Sequence, residues 1–211
     1  MKLVYVITCR LIYVSLIFST PCFSADFNLA IPIVLKHEGK LVNNIHDKGG
    51  ITNYGISLRF LKSLVRARPD LLAKVDVNHD KIINEHDVIH MPLKEAIDLY
   101  QQQFWDKQKL GNIVYQPLAT KVFDMSVNMG NQEAVELLQE ACNKLYNTHH
   151  LGIDGKLGNQ TLNTINSLNP KQHQSLLKLL KKVSRDYYQH IAKKHPAYKQ
   201  FLKGWLKRAE E

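Results

Sequence analysis

The sequence predicts a mainly α protein of two packed helical lobes, with a short β-hairpin or turn region after the first helix. Two observations predict it. Apolar residues recur at three- and four-residue spacing almost throughout, and period-two alternation is confined to about residues 40–56. No tandem repeat, low-complexity tract or long linker divides the chain, so the lobes must share a packed boundary.

Taken in order, residues 1–24 read as an export leader. Lys2 and Arg10 precede or flank an apolar run through Leu11, Ile12, Val14, Leu16, Ile17 and Phe18, then Pro21 and Cys22-Phe23-Ser24. The run is shorter than the ~20 residues that span a bilayer, so cleavage is expected rather than anchoring, and no stable membrane insertion afterwards. The first helix of the mature chain is expected over 28–38, starting near Asn28 or at Pro32 and ended by Gly39. A turn-rich stretch, Leu41 to Ile56, follows. Ser57 caps a helix running to Arg68, which Pro69 ends, and a short piece over 70–75 leads into a polar loop. Helices are expected at 92–104, 116–129 and 131–147, the last capped by Asn131. A Gly-containing break at 151–158 precedes a helix at 159–168. Pro170 opens a long basic helix toward Lys194, and a last helix carries Tyr198, Phe201, Leu202, Trp205 and Leu206. The domain reading is a leader over 1–24, a catalytic lobe over 25–112 and a second helical lobe over 113–211.

Composition sets the class. Of 211 residues, 45% are hydrophobic and 22% charged, enough apolar material for a globular core. Loss of the leader removes two cations and no acid from the +9 chain, leaving a formal +7. A basic exported protein suits an anionic polymer, which charge alone does not identify. Two of the three cysteines lie in the leader; Cys142 stands alone in the mature chain on a helix rich in Ala and Leu, and reads as a core residue.

The chemistry concentrates in residues 37–56, HEGKLVNNIHDKGGITNYGI. Glu38 ends a helix, and beyond eight intervening residues Asp47 stands in a glycine-rich turn followed by Thr52. Glycoside hydrolysis needs one protonated carboxyl for the leaving oxygen and a second group that places water or steadies an oxocarbenium-like transition state. Glu38, at the negative end of a helix dipole and against a desolvating apolar wall, is the expected acid. Asp47 is expected to stay ionised and, with Thr52, to hold the water, while Gly49, Gly50 and Gly55 let the backbone approach a sugar. Tyr54 is a candidate sugar-stacking residue. Asp124 and Asn128 share a helix face and are candidates for binding sugar or the peptide stem, or else a lobe-packing pair. His37 points elsewhere around the helix and reads as a supporting residue.

Glu38-Gly39, Asp47-x-Gly49-Gly50-x-Thr52-Asn53-Tyr54-Gly55-Ile56 and Phe123-Asp124-x-x-Val127-Asn128-x-Gly130 together resemble the glycosyl hydrolase 108 family, which holds N-acetylmuramidases and secretion-activator proteins. The resemblance covers about residues 27–205. It implies a lysozyme-like fold with Glu38 as catalytic acid; the Glu, eight residues, Asp, then Thr spacing also resembles phage-type lysozymes, which act with inversion. Lys40 stands where the family usually has the second glycine of its EGG motif. Leu151-Gly152-Ile153-Asp154-Gly155-Lys156-Leu157-Gly158 resembles the predicted peptidoglycan domain that follows the catalytic part in this family, and wall binding and a purely structural turn both remain open for it.

A second signal lies in residues 76–87, DVNHDKIINEHD. Asp76, Asn78, Asp80, the Ile82 carbonyl, Asn84 and Asp87 fall at positions 1, 3, 5, 7, 9 and 12 of an EF-hand-type loop, so a structural Ca2+ is the expected occupant. Lys81 fills position 6, normally Gly, at a cost on the order of 1 kcal/mol.

These readings converge on a periplasmic or secreted peptidoglycan hydrolase that cuts between N-acetylmuramic acid and N-acetylglucosamine without a catalytic cofactor. The rival is a wall-binding or secretion-assisting protein in which Glu38 has no essential role. Nothing matches HExxH, a Cys–His pair or a zinc cluster, which argues against peptide-bond cleavage, and no nucleic-acid-binding module is present.

Overall fold

The computed structural model describes residues 24–39 and 51–211, so the leader up to Phe23, Asp47, Gly49 and Gly50 lie outside the described residues. The described chain is mostly helical, with one small sheet.

Helix α1, Phe27–Glu38, begins one residue earlier than expected because Asp26 caps it, its side chain accepting from the Asn28 amide at 2.8 Å. Pro32 therefore sits inside the helix and not at its start. One backbone bond is lost there, and the burial of Ala30, Ile31 and Val34 holds the helix against that loss. Strands β1 (Thr52–Asn53) and β2 (Ile56–Ser57) form an antiparallel hairpin with Thr52 opposite Ser57 and Asn53 opposite Ile56. Tyr54 and Gly55 make its two-residue turn with φ of 50° and 77°, both positive as in the turn type that matches hairpin twist. Ser57 then caps α2, Leu58–Ala67, by accepting from Phe60 N at 3.1 Å.

A 3-10 turn at Pro69–Leu71 leads into α3, Leu72–Val75, and the loop 76–84 ends in α4, Glu85–Ile89. Helix α5, Leu93–Tyr100, stops short of the expected residue 104 because the backbone widens into a π-helical segment, Gln101–Asp106. Helix α6, Gln116–Met129, is followed by α7, Asn131–Tyr146. Asn131 is not the cap of α7. Gly130 takes that position at φ 98°, and the Asn131 amide instead donates to the Gln103 carbonyl of the π segment at 2.9 Å. Short α8, Asn159–Asn166, precedes α9, Pro170–Lys194, whose capping box pairs Asn169 with Gln172. The chain closes with α10, Lys199–Glu210.

Helix α6 is the axis of the molecule. Every residue from Leu118 to Ser126 is buried, because α1, α7 and α9 all pack on it. An aromatic knot of Phe27, Trp105, Tyr100 and Phe123 fills the space between α1, α5 and α6, with ring centres 5.5–6.4 Å apart. On the other side α7, α9 and α10 pack through Leu138, Leu176, Leu180 and Val183. Cys142 is buried here, and burial pushes its thiol up to about 12, where it is an inert core residue.

Candidate active site

Glu38 is the last residue of α1, and Gly39 turns the chain away at φ 74°. Its side chain is 17% exposed and is enclosed by three elements. From the hairpin comes Gly55: a Cβ built there would stand 2.5 Å from Glu38 Oε2 and would also strike the Tyr100 hydroxyl, so glycine serves both the positive φ and the close approach. From α5, Tyr100 donates its hydroxyl to the Tyr54 carbonyl at 2.7 Å and ties the turn down over the carboxyl. Burial, reinforced by the charge of Glu38, pushes the Tyr100 phenol far above its ordinary value, so it remains a neutral donor.

The third element is α10. Arg208 Nη2 lies 2.8 Å from Glu38 Oε1, yet that buried oxygen has no aligned hydrogen-bond donor, so the contact is an ion pair set by position more than by a directed N–H. The apolar wall expected around Glu38 is thus replaced on one side by a guanidinium. Arg208 is itself held by Asp124: Nε donates to Oδ1 at 2.9 Å and Nη2 to the Asp124 carbonyl at 3.2 Å. Burial works against the charge of Arg208, but Asp124 and then Glu38 outweigh it and hold its pKa above the ordinary value. His37 Nδ1 meets the same Asp124 oxygen at 2.9 Å, and Nε2 meets Glu211 Oε2 at 2.5 Å. Lys121 Nζ stands 3.7 Å from Asp124 Oδ2 and donates to the Arg208 carbonyl at 2.5 Å. Its burial lowers the lysine pKa, partly offset by Asp124.

Of the two roles open to Asp124, its surroundings fit lobe packing. It is 3% exposed, and its carboxylate is occupied by Arg208, His37 and Lys121, so it organises α1, α6 and α10 and does not reach for sugar. Asn128, one turn on, is half-buried and accepts from the Tyr188 hydroxyl at 2.7 Å. Tyr54 is half-buried in the turn facing Glu38, and Thr52 begins the same hairpin. The hairpin is anchored from below: Asn53, 6% exposed, donates through Nδ2 to the Val88 and Ile89 carbonyls at 3.0 and 3.1 Å.

That anchor is the exit helix of the EF-hand-type loop. Asp76 accepts from the Asp80 and Lys81 amides at 3.2 and 2.7 Å, and Asp87 from the Val77 and Asn84 amides at 2.8 Å each. Asn78 bonds Asp80, Asp80 accepts from the Ile82 amide, and Asn84 donates to the Ile82 carbonyl while capping α4. Lys81 adopts φ 67°, the left-handed conformation its position requires. The donors are oxygen-rich, as Ca2+ demands. The two buried carboxylates are nevertheless turned onto the loop's own amides, and no group of three His, Cys, Asp or Glu side chains able to hold a metal occurs among the described residues.

Sequence reasoning missed Arg208 and Tyr100. Neither carries a local motif, and only the packing of α10 and α5 against α1 brings them to Glu38. The Asp154-Gly155 turn is tied to α7: Gln139 accepts from the Asp154 and Gly155 amides and donates to Asp154 Oδ1, and a Cβ on Gly155 would meet Gln132 at 2.5 Å. Those contacts give the turn a structural role.

Residues 31–130 match the glycosyl hydrolase 108 family, and residues 133–210 match the predicted peptidoglycan domain. Among solved structures the chain is similar to one titled "Structure of Brucella abortus SagA", with a TM-score of 0.66 and 23% identity over 87% of this chain and 89% of that one. At that identity the likeness speaks for the fold. No curated protein matches the chain.

Proposed function

We propose, for a chain whose residues 31–130 belong to the glycosyl hydrolase 108 family and whose residues 133–210 belong to the predicted peptidoglycan domain, that it acts outside the cytoplasm as a muramidase. It hydrolyses the β-1,4 bond between N-acetylmuramic acid and N-acetylglucosamine with Glu38 as general acid. The observation that carries this reading is the setting of Glu38 at a helix end, under a glycine turn whose missing Cβ leaves room for its carboxyl.

The two carboxyl oxygens have different tasks. Oε1 is held against Arg208, a group with no acceptor, so the proton to be transferred belongs on Oε2, which faces the Tyr54-Gly55 turn. Arg208 and Asp124 fix the carboxylate while the leaving oxygen takes that proton. Asp47 and Thr52 then hold the water on the other side of the sugar, and the product anomer is inverted. The reaction needs no cofactor.

The ion pair also favours a second reading, because a carboxylate neutralised by an arginine is what a purely structural glutamate looks like. In that case the protein grips wall glycan or assists secretion without cutting it. Digestion of purified peptidoglycan with wild type and Glu38→Gln separates the two. The enzyme reading expects new reducing ends from wild type and a loss of about 100-fold or more in the variant. Equal release from both would sink it, and mass spectrometry with NMR of the fresh products reads the bond and the anomer.

A further inference from the structure

Beside the Glu38 junction, helix α10 and the ends of α1 and α6 enclose a groove of about 480 Å³, a size typical of ligand sites. It shares His37 and Arg208 with the junction, so the two are continuous. One wall is aromatic. Phe201 is 43% exposed, and the half-buried indole of Trp205 is held flat by Tyr188 with ring centres 5.3 Å apart and planes 25° from parallel. Gly204 lies between them in sequence, and a Cβ there would meet nothing within 4 Å, so the helix leaves open space where a ring could lie. The rim carries amides and cations: Asn128, whose Oδ1 is fixed by Tyr188, with Lys36 and Lys207.

We propose that this groove is a subsite for the glycan strand of peptidoglycan at a point where it bears a stem carboxylate. The inference rests on the reading of the chain as a peptidoglycan-acting protein and adds where the strand lies. Sugar faces pack on aromatic rings, the side-chain amides meet hydroxyl and acetamido groups, and the two rim lysines answer carboxylates. An uncharged polysaccharide would have no use for those lysines. A nucleic acid, with a phosphate at every residue, would need more cations than the two rim lysines supply, whereas the glycan carries a carboxylate only where a stem is attached.

The test uses the full chain and the disaccharide-peptide N-acetylglucosaminyl-N-acetylmuramyl-peptide, which lacks the bond the enzyme would cut, so binding is read apart from hydrolysis. Of the two tryptophans only Trp205 lines the groove, Trp105 being 4% exposed, so a ligand-dependent change in emission, over the constant background of Trp105, reports this site. Saturable quenching is expected. Gly204→Leu, which fills the groove on an exposed helix position and so keeps the fold, should weaken the dissociation constant at least 10-fold without lowering the melting temperature. Lys36→Glu with Lys207→Glu should weaken the disaccharide-peptide while leaving uncharged chitotetraose unchanged. Absence of quenching, indifference to Gly204→Leu, or equal quenching by oligothymidylate overturns the proposal. Failure here with Glu38→Gln inert leaves the catalytic reading standing, and binding here with Glu38→Gln fully active leaves the subsite standing.

Discussion

Asp124 and Asp87 are both buried carboxylates, 3% and 0% exposed, and they are accommodated by opposite means. Asp87 accepts from two backbone amides no more than ten residues away. Asp124 is neutralised by side chains from distant helices, Arg208 at a separation of 84 residues and His37 at 87. The first arrangement uses uncharged donors and is local and self-contained. The second is ionic, assembled only by the complete fold, and linked through Arg208 to the candidate acid. Burying an acid on amides makes a brace, whereas burying it on a cation makes a coupling between elements.

Removing the acid from each site should therefore have unequal effects. Asp124→Ala leaves Lys121 buried without its counter-charge and Arg208 with Glu38 alone, at a cost of about 3–5 kcal/mol, which in a chain of this size lowers the thermal midpoint on the order of 10 °C. It should also depress peptidoglycan digestion, since Arg208 is no longer aimed at Glu38. Asp87→Ala strands two amides beside water they can partly reach and should cost about 2 kcal/mol, with digestion per folded molecule much less affected. Calorimetry and reducing-end release on both variants decide the matter. An Asp87 effect on digestion as large as that of Asp124 would erase the distinction.

The same contrast explains what the sequence disclosed. Ser57, Pro170 and the left-handed Lys81 all act within a few residues, and their roles follow from the local text. For Asp124 equally local evidence left sugar binding and lobe packing both open, because a helix face shows which side chains share a direction but not whether that direction is solvent or another helix. Arg208 had no signal: in α10 it is one more cation in a basic helix until that helix docks on α6. The π segment was hidden for a related reason, since its widening answers packing around Tyr100 and Trp105 and no turn residue announces it. Of the candidate site, Glu38 and the glycine turn were legible, and their cationic partner was not.

Glycines sharpen the comparison with a smaller expected effect. Gly55 and Gly130 both sit at positive φ, 77° and 98°, but only at Gly55 would an added Cβ collide, with Glu38 and Tyr100; at Gly130 nothing lies within 4 Å. Alanine at Gly130 should cost only the backbone preference, about 1–3 kcal/mol at φ 98° and ψ 155°. Alanine at Gly55 carries that cost and also displaces the carboxyl, so its digestion rate should fall by about 10-fold or more at unchanged pH, where Gly130→Ala keeps the wild-type rate. Equal rates for the two alanine variants would mean that the turn does not set the position of Glu38.

The smallest effect is expected where the ionic junction meets solvent. His37 bridges buried Asp124 and exposed Glu211, and its hydrogen bond holds the Glu211 carboxyl below the ordinary value of 4.5, against the opposing effect of desolvation. A carboxyl whose folded pKa lies below its unfolded value favours the folded state fully above about pH 4.5, and that contribution disappears as the pH falls through the lower, folded value. Glu211→Gln removes the titration without disturbing Asp124. Its midpoint at pH 7 should fall less than in any variant above, while the decline in midpoint between pH 5 and pH 3 becomes shallower than in wild type. Parallel acid limbs in the two proteins would show that His37 serves Asp124 alone and that the end of α10 is not tied to α1 by charge.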